Sequence, residues 1–379
     1  MLYKTQKKLT VLISALAATC LLIVPGCGSD SSSDSTEALS TTTTMAMATT
    51  TVAPTTTTVA PTPVEKPLIV VTTNILGDVV TKAVGELFDV ETIMPPGADP
   101  HVFQASAKQV DRMMKADLLV VNGANFEEGL LDVIKGAESD GIKVFEAMNS
   151  VDPLEDHEEE GHDDHDDHAK EEGHDDHDDH EGHDDHDDHE GHDDHHGHDH
   201  GGVDPHFFTD PGRMAQVVNK LSDFLVLNFP EIDEMDLVSH MAEYSKKLTD
   251  LDSEVMQTLS SIPEGSRVLV TNHEVFAYFA ESYDFRILGT IIPSPSTLSN
   301  ASAKDLVDLS EKMMSEGVKA VFVDSSSSDA LADALAGEVD GVEVVTLFSE
   351  SLGPEDSAGS TYIDMVRTNS ELIADALTG

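Results

Sequence analysis

The sequence predicts an α/β protein with two similar lobes, each a parallel sheet flanked by helices. Short runs of β-branched and apolar residues alternate with longer amphipathic segments, and the same order of elements occurs twice. Nearly continuous apolar and β-branched strands such as 68–73 are typical of parallel sheets that helices cover on both faces. One long amphipathic segment between the halves predicts a helix that joins the lobes.

The first half begins near residue 67 and alternates strands with helices. Its predicted strands cover 68–73, 88–94, 117–122 and 142–145, and its predicted helices cover 75–85, 105–115 and 126–136. The second half repeats this order, with predicted strands over 267–271, 286–289, 318–324 and 342–347 and helices over 274–283, 302–315, 328–337 and 360–377. Ligands bind at the carboxyl ends of the strands in such sheets, so we expect a site in the cleft between the lobes.

Two helices are predicted between the halves, over 214–227 and 233–259. The apolar positions of the second are three and four residues apart and form one continuous stripe: Leu237, Met241, Tyr244, Leu248, Leu251, Val255 and Leu259. A helix of about 27 residues runs about 40 Å, which is long enough to bridge two lobes.

Charge and cysteine content exclude several classes of function. The 379 residues include 73 Asp and Glu against 21 Lys and Arg, a formal net charge of −52. This charge repels phosphate backbones and anionic lipid head groups, which excludes nucleic-acid binding and a basic membrane patch. Both cysteines, Cys20 and Cys27, precede the predicted lobes, so a disulfide scaffold, a thiolate zinc site or a cysteine nucleophile is excluded there. Phosphate-binding loops and the GxSxG and HExxH motifs are also absent from the sequence.

The N-terminus has the pattern of an export signal. Three lysines among the first eight residues precede an apolar run over 9–24. The sequence Val-Pro-Gly-Cys at 24–27 resembles a bacterial lipobox and predicts lipidation of Cys27. Simple secretion and a signal anchor are the alternatives, because roughly 17 apolar residues can just span a bilayer. Residues 28–66 are rich in Ser, Thr and Pro and predict a disordered tether.

Four histidines lie outside a His-rich tract, and three of them are candidate metal ligands. The motif Asp-Pro-His-x-Phe occurs twice, with its histidine at His101 and at His206. Proline fixes the backbone before each histidine, so the ring is presented on a rigid loop. His273 directly follows a predicted strand, which places it at the carboxyl end of that sheet, whereas His240 is interpreted as a surface residue of the long helix.

Three histidines contributed by both halves predict a shared metal site, because neutral imidazole is the commonest metal ligand. Such a site needs a fourth group, for which a carboxylate is the natural choice. The pattern by itself leaves three carboxylates open: Glu274, Asp324 and Glu350.

Taken together, these motifs resemble those of the solute-binding lipoproteins of bacterial metal ABC importers, the zinc- and manganese-binding cluster A-I family. The resemblance covers residues 67–379 and includes both Asp-Pro-His motifs, the His-rich loop between them, Thr-Asn-His-Glu-Val-Phe at 271–276 and Phe-Ser-Glu-Ser-Leu at 348–352. It implies a metal site of four residues: His101, His206, His273 and Glu350. Many members of the family have aspartate at the fourth position.

The resemblance implies an extracytoplasmic protein that captures Zn(II) and delivers it to the membrane permease and ATPase of an importer. Three imidazoles and one carboxylate suit tetrahedral zinc, whereas manganese relatives replace a histidine by a carboxylate. A binding protein for manganese or another divalent metal and a metal-dependent surface adhesin are the alternatives. We do not expect an enzyme such as a zinc hydrolase, because a fourth protein ligand closes the site. We expect a monomer, lipid-anchored at the outer face of the cytoplasmic membrane, at the cell surface or in the periplasm.

An acidic histidine tract interrupts the first half. Residues 152–200 contain 25 acidic residues and one lysine, in repeats of Gly-His-Asp-Asp-His-Asp-Asp-His without recurring apolar positions. This composition predicts a disordered loop whose interleaved imidazoles and carboxylates form many weak zinc sites. We expect the loop to collect zinc and to be dispensable for tight binding. Its predicted auxiliary ligands are His162, His165, His168, His174, His177, His180, His183, His186, His189, His192, His195, His196, His198 and His200.

The chain is therefore predicted to have five segments. They are a lipoprotein signal peptide at 1–26, the lipidated cysteine and tether at 27–66, an N-terminal lobe at 67–232 that includes the disordered loop at 152–202, a linking helix at 233–261 and a C-terminal lobe at 262–379.

Overall fold

Two four-stranded sheets form the framework of the protein, and every pair of neighbouring strands is parallel. The computed structural model describes residues 66–154 and 202–379, which lie in one structural unit, Pro63–Gly379. The first sheet, ordered β2-β1-β3-β4, consists of β1 (Leu68–Val71), β2 (Asp89–Thr92), β3 (Leu118–Val121) and β4 (Lys143–Glu146). The second, ordered β6-β5-β7-β8, consists of β5 (Val268–Thr271), β6 (Arg286–Thr290), β7 (Ala320–Asp324) and β8 (Glu343–Leu347). The predicted fold class, two parallel sheets with helices, is confirmed.

Nine α-helices occur in the described residues. They are α1 (Asn74–Val84), α2 (Ala107–Met113), α3 (Leu131–Ser139), α4 (Pro211–Asn228), α5 (Glu234–Leu259), α6 (Ala277–Tyr283), α7 (Ala303–Glu316), α8 (Ala330–Glu338) and α9 (Tyr362–Thr378). None of these helices, within the described parts of the chain, is long and apolar enough to cross a membrane.

Two helices, α3 and α6, begin three or more residues later than their sequence pattern predicts. The segment predicted as a helix from 126 contains a 3-10 turn, Glu128–Leu130, before α3 begins. The segment predicted from 274 becomes helical only at Ala277, after a turn in which Val275 N donates to the carbonyl of His273. In both places, residues that follow a strand are used to build loops at the sheet edge.

Alternating side chains of the strands divide the core into layers. Ile69 and Val71 of β1 belong to a central core, whereas Val70 points into a smaller core on the other face of the sheet. The period of two in a strand produces this division, and it explains why the inner strands β1 and β3 are apolar at every position. The central core also contains residues of the second sheet and of α4, α5 and α9, so one apolar interior joins the two halves.

The long helix α5 packs one face against this interior. Asp233 accepts a hydrogen bond from Asp236 N at 3.0 Å and caps the helix at its amino end. Its predicted stripe is confirmed: all seven apolar residues are buried, with Leu248 and Val255 fully inaccessible. The 26 residues correspond to about 39 Å of helix.

Candidate metal centre

Four buried side chains meet at the carboxyl ends of the strands. They are His101, His206, His273 and Glu350, each with at most 2% of its surface exposed. One ligand atom from each lies within 4.8 Å of all the others. Asp324 and Glu274, the other carboxylates that the sequence pattern left open, are not in this cluster.

The imidazoles converge on a single carboxylate oxygen. Oε1 of Glu350 lies 2.9 Å from Nε2 of His101, 3.2 Å from Nε2 of His206 and 2.9 Å from Nε2 of His273. A tetrahedral zinc ion with ligand distances of about 2.0–2.1 Å separates its ligand atoms by about 3.3–3.4 Å. The three oxygen–nitrogen spacings are slightly shorter than this, and all four ligand atoms lie within 4.8 Å of one another, so an adjustment of the side chains would admit an ion between them.

Each Asp-Pro-His motif is a compact turn closed by its own aspartate. Asp99 Oδ1 accepts from the backbone N of His101, and Asp204 Oδ1 accepts from the backbone N of His206, both at 2.9 Å. Asp204 Oδ1 also lies 2.7 Å from Nδ1 of His206. An Asx turn of this kind fixes the backbone that carries the ring, as the proline in the motif led us to expect.

His273 is presented by the end of β5. Thr271, the last residue of β5, donates from Oγ1 to the carbonyl oxygen of His273 at 2.7 Å, which closes a tight turn at the sheet edge. Nδ1 of His273 is buried and has no hydrogen-bond partner among the described residues. The predicted place of this histidine, at the carboxyl end of a strand, agrees with the structure.

Both halves of the chain hold the loop that carries Glu350. In the second half, Asp324 Oδ2 accepts from Ser349 N at 2.9 Å and from Glu350 N at 3.0 Å. From the first half, Asn74 Oδ1 accepts from Leu352 N at 2.7 Å. Asp324, a candidate fourth ligand in the sequence, therefore lies behind Glu350 and orients it.

A loop after β3 supports the site and was missed by sequence reasoning. Residues Gly123, Ala124 and Asn125 all have positive φ angles, of 89°, 49° and 60°. They turn the chain so that the Phe126 ring packs edge-on against His101 and His206, with centroids 5.1 and 5.4 Å away. A positive φ is uncommon outside glycine, and no composition or periodicity signal marks it.

Glu127 holds this loop from within the protein. Its Oε1 accepts from Asn122 N at 2.6 Å and from Thr72 Oγ1 at 2.5 Å, and the side chain is fully buried. Asn122 Nδ2 in turn donates to the carbonyl of Pro205 at 2.9 Å. These bonds connect β1, β3 and the second Asp-Pro-His motif, so the apolar wall beside two histidines is rigidly placed.

The unliganded cluster is stabilised by its own charges. Burial lowers the pKa of His101, but the carboxylates of Glu350 and Glu128 outweigh this effect and the pKa is raised to about 10. Burial likewise lowers the pKa of His206, and Asp204 with Glu350 outweighs it, so that pKa is also raised. Burial raises the pKa of Glu350, but the positive charges of His273 and His101 hold it well below its ordinary value. In the absence of an ion, the raised pKa values of His101 and His206 thus favour protonated rings beside the buried carboxylate.

Other residues singled out in the sequence lie away from the cluster or beyond the described residues. His240 is exposed on α5, as predicted, and its Nδ1 lies 2.8 Å from the carbonyl of Asp236. Cys27 and the auxiliary histidines of the acidic tract lie outside the described residues. Their assigned roles remain predictions.

The chain is similar to a known protein family and to characterised members of related proteins. The chain matches the ZnuA family, described as zinc-uptake complex component A, periplasmic, over residues 69–376. The zinc-binding protein TroA of Treponema pallidum (strain Nichols) is 26% identical over 317 residues, covering 82% of this chain and 89% of TroA. The manganese-binding lipoprotein MntA of Bacillus subtilis (strain 168) is 26% identical over 318 residues, with the same coverage of 82% and 89%.

A solved structure agrees with the fold. The structure of the periplasmic zinc-binding protein TroA from Treponema pallidum matches with a TM-score of 0.66 at 25% identity, covering 82% of this chain and 99% of that chain. The family match, the relatives and this structural likeness all extend over both sheets. The chain therefore belongs to the ZnuA family, the zinc- and manganese-binding substrate-binding proteins of metal ABC importers.

Proposed function

We propose that this protein captures Zn(II) outside the cytoplasm and delivers it to the permease of a metal ABC importer. Membership of the family makes the chain a metal-binding component of an importer and not an enzyme. We propose both the choice of zinc and the set of four ligands. The observation that carries it is the convergence of three imidazole nitrogens and one carboxylate oxygen in a fully buried site.

The ligand chemistry supports zinc. Imidazole suits zinc, and a set of three nitrogens and one oxygen fits its usual tetrahedral coordination. His101, His206 and His273 would bind through Nε2, because all three Nε2 atoms face Glu350 Oε1. Four protein ligands leave no open position for a metal-bound water, which agrees with a carrier that holds its ion as cargo.

Manganese is the second candidate, favoured by one observation. The other carboxylate oxygen of Glu350, Oε2, is buried and has no hydrogen-bond partner among the described residues. A bidentate carboxylate would add an oxygen ligand and raise the coordination number, which suits a harder ion. Both metals occur in the names of relatives, zinc for TroA and manganese for MntA.

Competition titration of the purified full chain tests this proposal. Zinc and manganese are each titrated against a chelator strong enough to empty weak sites, and the variant with His101, His206 and His273 all changed to Ala is compared. We expect one tight zinc site in the wild type that the variant lacks. The matched control is His240→Ala, which removes an exposed histidine of α5 and should leave the tight site intact.

Two outcomes would overturn the proposal. Tighter binding of manganese than of zinc would reverse the choice of metal, although the Irving–Williams order favours zinc at most nitrogen sites. Equal, weak binding by the wild type and the triple variant would exclude the cluster as a ligand site.

We further propose that lipidation of Cys27 anchors the protein at the outer face of the cytoplasmic membrane. The lipobox-like sequence at 24–27 supports this, as does the word lipoprotein in the name of MntA. Metabolic labelling with a fatty acid would mark the wild type and leave Cys27→Ala unlabelled. Labelling of the variant would contradict the assignment.

A further inference from the structure

The two Asp-Pro-His motifs differ in what lies against the histidine ring. In the second motif, Asp204 accepts from the backbone N of His206 and also lies 2.7 Å from Nδ1 of the ring. In the first motif, Asp99 Oδ1 accepts from the backbone N of His101. The carboxylate at Nδ1 of His101 is instead that of Glu128, at 3.2 Å. The carboxylate beside the His101 ring therefore comes from outside the first motif, from a residue 27 positions after His101 in the chain.

The position of Glu128 is determined by a close backbone contact. Glu128 begins the 3-10 turn Glu128–Leu130, and the next residue, Gly129, packs against the segment that follows His101. A Cβ atom on Gly129 would lie 2.1 Å from the carbonyl oxygen of Phe103, so only glycine permits this approach. The turn and the first motif thus form one packed unit.

A loop from the second half of the chain contacts the same unit twice. Ser296 donates from Oγ to Oε1 of Glu128, the oxygen that faces His101. The next residue, Thr297, donates from Oγ1 to Asp99 Oδ2 at 2.8 Å. Ser296 is 5% exposed, and its backbone N donates to Ser294 Oγ at 3.1 Å, which fixes the position of this residue within the loop.

We propose that Glu128 is a positioning residue for His101, and that Ser296 holds Glu128 in place across the two halves of the chain. This inference rests on the proposed metal site. An imidazole binds a metal through Nε2 only when its remaining proton is on Nδ1, and a carboxylate at Nδ1 favours that tautomer and orients the ring. The tightness of metal binding then depends on the contact between the 294–297 loop and the first half.

The geometry explains why Ser296 is needed. The Glu128 side chain is 25% exposed at the rim of the site, and the hydrogen bond that Ser296 Oγ donates to its Oε1 restrains the carboxylate there. Its contact with Nδ1 in the unliganded protein is close but not aligned as a hydrogen bond. The hydrogen bond from Ser296 Oγ keeps Oε1 of Glu128 beside Nδ1 of His101, where a small rotation of the ring would align the two groups.

The environment of His273 makes the contact between Glu128 and His101 important. Nδ1 of His273 has no hydrogen-bond partner among the described residues, so a carboxylate lies at Nδ1 of His101 and of His206 but not at Nδ1 of His273. Losing Glu128 would leave Asp204 as the one such carboxylate. Removal of a residue that orients a metal ligand in this way typically weakens metal affinity about 10- to 100-fold.

Zinc affinity and release from the full chain test the proposal. Zinc-loaded protein is mixed with excess chelator, and the release rate and equilibrium affinity are measured for Glu128→Ala, Glu128→Gln, Ser296→Ala and the double variant Glu128→Ala with Ser296→Ala. We expect about 10- to 100-fold weaker binding for Glu128→Ala. Glu128→Gln, which keeps a hydrogen-bond acceptor, should restore part of the affinity. Ser296→Ala should weaken binding less than Glu128→Ala and add nothing to it in the double variant.

The matched control is Glu138→Gln, which neutralises an exposed glutamate on α3 and should leave zinc release unchanged. The second readout is the ¹⁵N chemical shift of the His101 ring in the zinc-loaded protein. We expect a proton on Nδ1 and a downfield Nδ1–H signal in the wild type, and a shifted, weakened signal in Glu128→Ala. A structural role without contact to the ring would not change that signal.

The outcomes separate this inference from the proposed function. A wild type without a tight zinc site would overturn the proposed function. A tight site in the wild type, with the same release rate and His101 signal in Glu128→Ala, would overturn the role of Glu128 alone. Additive effects of Glu128→Ala and Ser296→Ala would overturn the coupling between the halves.

Discussion

The histidines show how far the sequence locates individual functional residues. Local sequence patterns identify all three histidines: a proline precedes His101 and His206, and a predicted strand ends before His273. The folded protein brings each of these residues to the predicted place. The choice among the three carboxylates depends on which chain segments lie close together in the folded protein. The number of residues between two positions in the sequence does not give that distance. The structure separates them: Glu350 enters the cluster, whereas Asp324 orients the loop that carries it.

At the scale of single residues, we expect the metal-free protein to lose stability as the pH rises from about 6.5 to about 10. The pKa of His101 in the folded chain is raised to about 10, above the unfolded value of about 6.5. Its protonated ring therefore stabilises the fold fully below pH 6.5 or so, and this contribution disappears as the pH passes the folded pKa. Glu350, whose pKa is lowered, acts in the opposite sense and loses its contribution as the pH falls.

Thermal unfolding in the presence of EDTA across this pH range measures the effect. His101→Gln should flatten the alkaline part of the profile. Identical profiles for the wild type and His101→Gln would contradict the assignment of the charge to this ring. Zinc should bind more tightly as the pH rises, since the ion displaces protons from the imidazoles.

At the scale of helices and strands, periodicity predicts the types of the elements well and their ends less well. The stripe of α5 is confirmed at every position because an amphipathic face has the same period in the sequence and in space. The late starts of α3 and α6 have a different cause. Residues that follow β3 and β5 make side-chain and backbone bonds at the sheet edge, and these override helix propensity.

The buried stripe of α5 leads to a stability prediction. Leu248→Ala removes a fully buried side chain from the central core and should lower the free energy of unfolding by about 2–5 kcal/mol. Urea unfolding of the full chain measures it. The matched control is Leu227→Ala on α4, where the same substitution removes a side chain that is 81% exposed. We expect a change within about 0.5 kcal/mol there. Equal losses in both variants would show that α5 does not anchor the core.

At the scale of the whole molecule, the central core limits how the two halves can move. The central core joins residues of both sheets and of the connecting helices. Wide closure of one half on the other would expose this apolar interior to water. The structure therefore favours small rearrangements of the site loops when metal binds.

Small-angle scattering tests this rigidity. We expect metal-free and zinc-loaded protein to have the same radius of gyration within error, because close-packed cores resist continuous deformation. The triple alanine variant described above serves as the control for zinc bound elsewhere. A large decrease in radius that occurs in the wild type and not in that variant would contradict the prediction.

The acidic histidine tract has its own prediction at this scale. Deleting residues 155–200 should reduce the number of weakly bound zinc ions and leave the affinity of the tight site unchanged, because none of the four clustered residues lies in the tract. Equilibrium dialysis at several zinc concentrations separates the two classes. Weak binding should also decrease first as the pH falls through about 6.5, the ordinary pKa of histidine. Loss of the tight site on deletion would show that the tract is part of it.

The sequence by itself determined the two-sheet α/β class, the stripe of α5, the three histidines and the family. These features rest on local patterns or ordered motifs, which need no knowledge of the folded chain. The family resemblance already implied Glu350 as the fourth group, whereas the residue pattern left three carboxylates open. Only the tertiary structure decided how Glu350 reaches the cluster: Asp324 and Asn74 hold its loop, and Phe126 packs against two of the histidines. Asn74 and Leu352 lie 278 positions apart in the sequence and are hydrogen-bonded in the structure. Such contacts arise from the packing of distant segments around one core, and no periodicity in the chain records them.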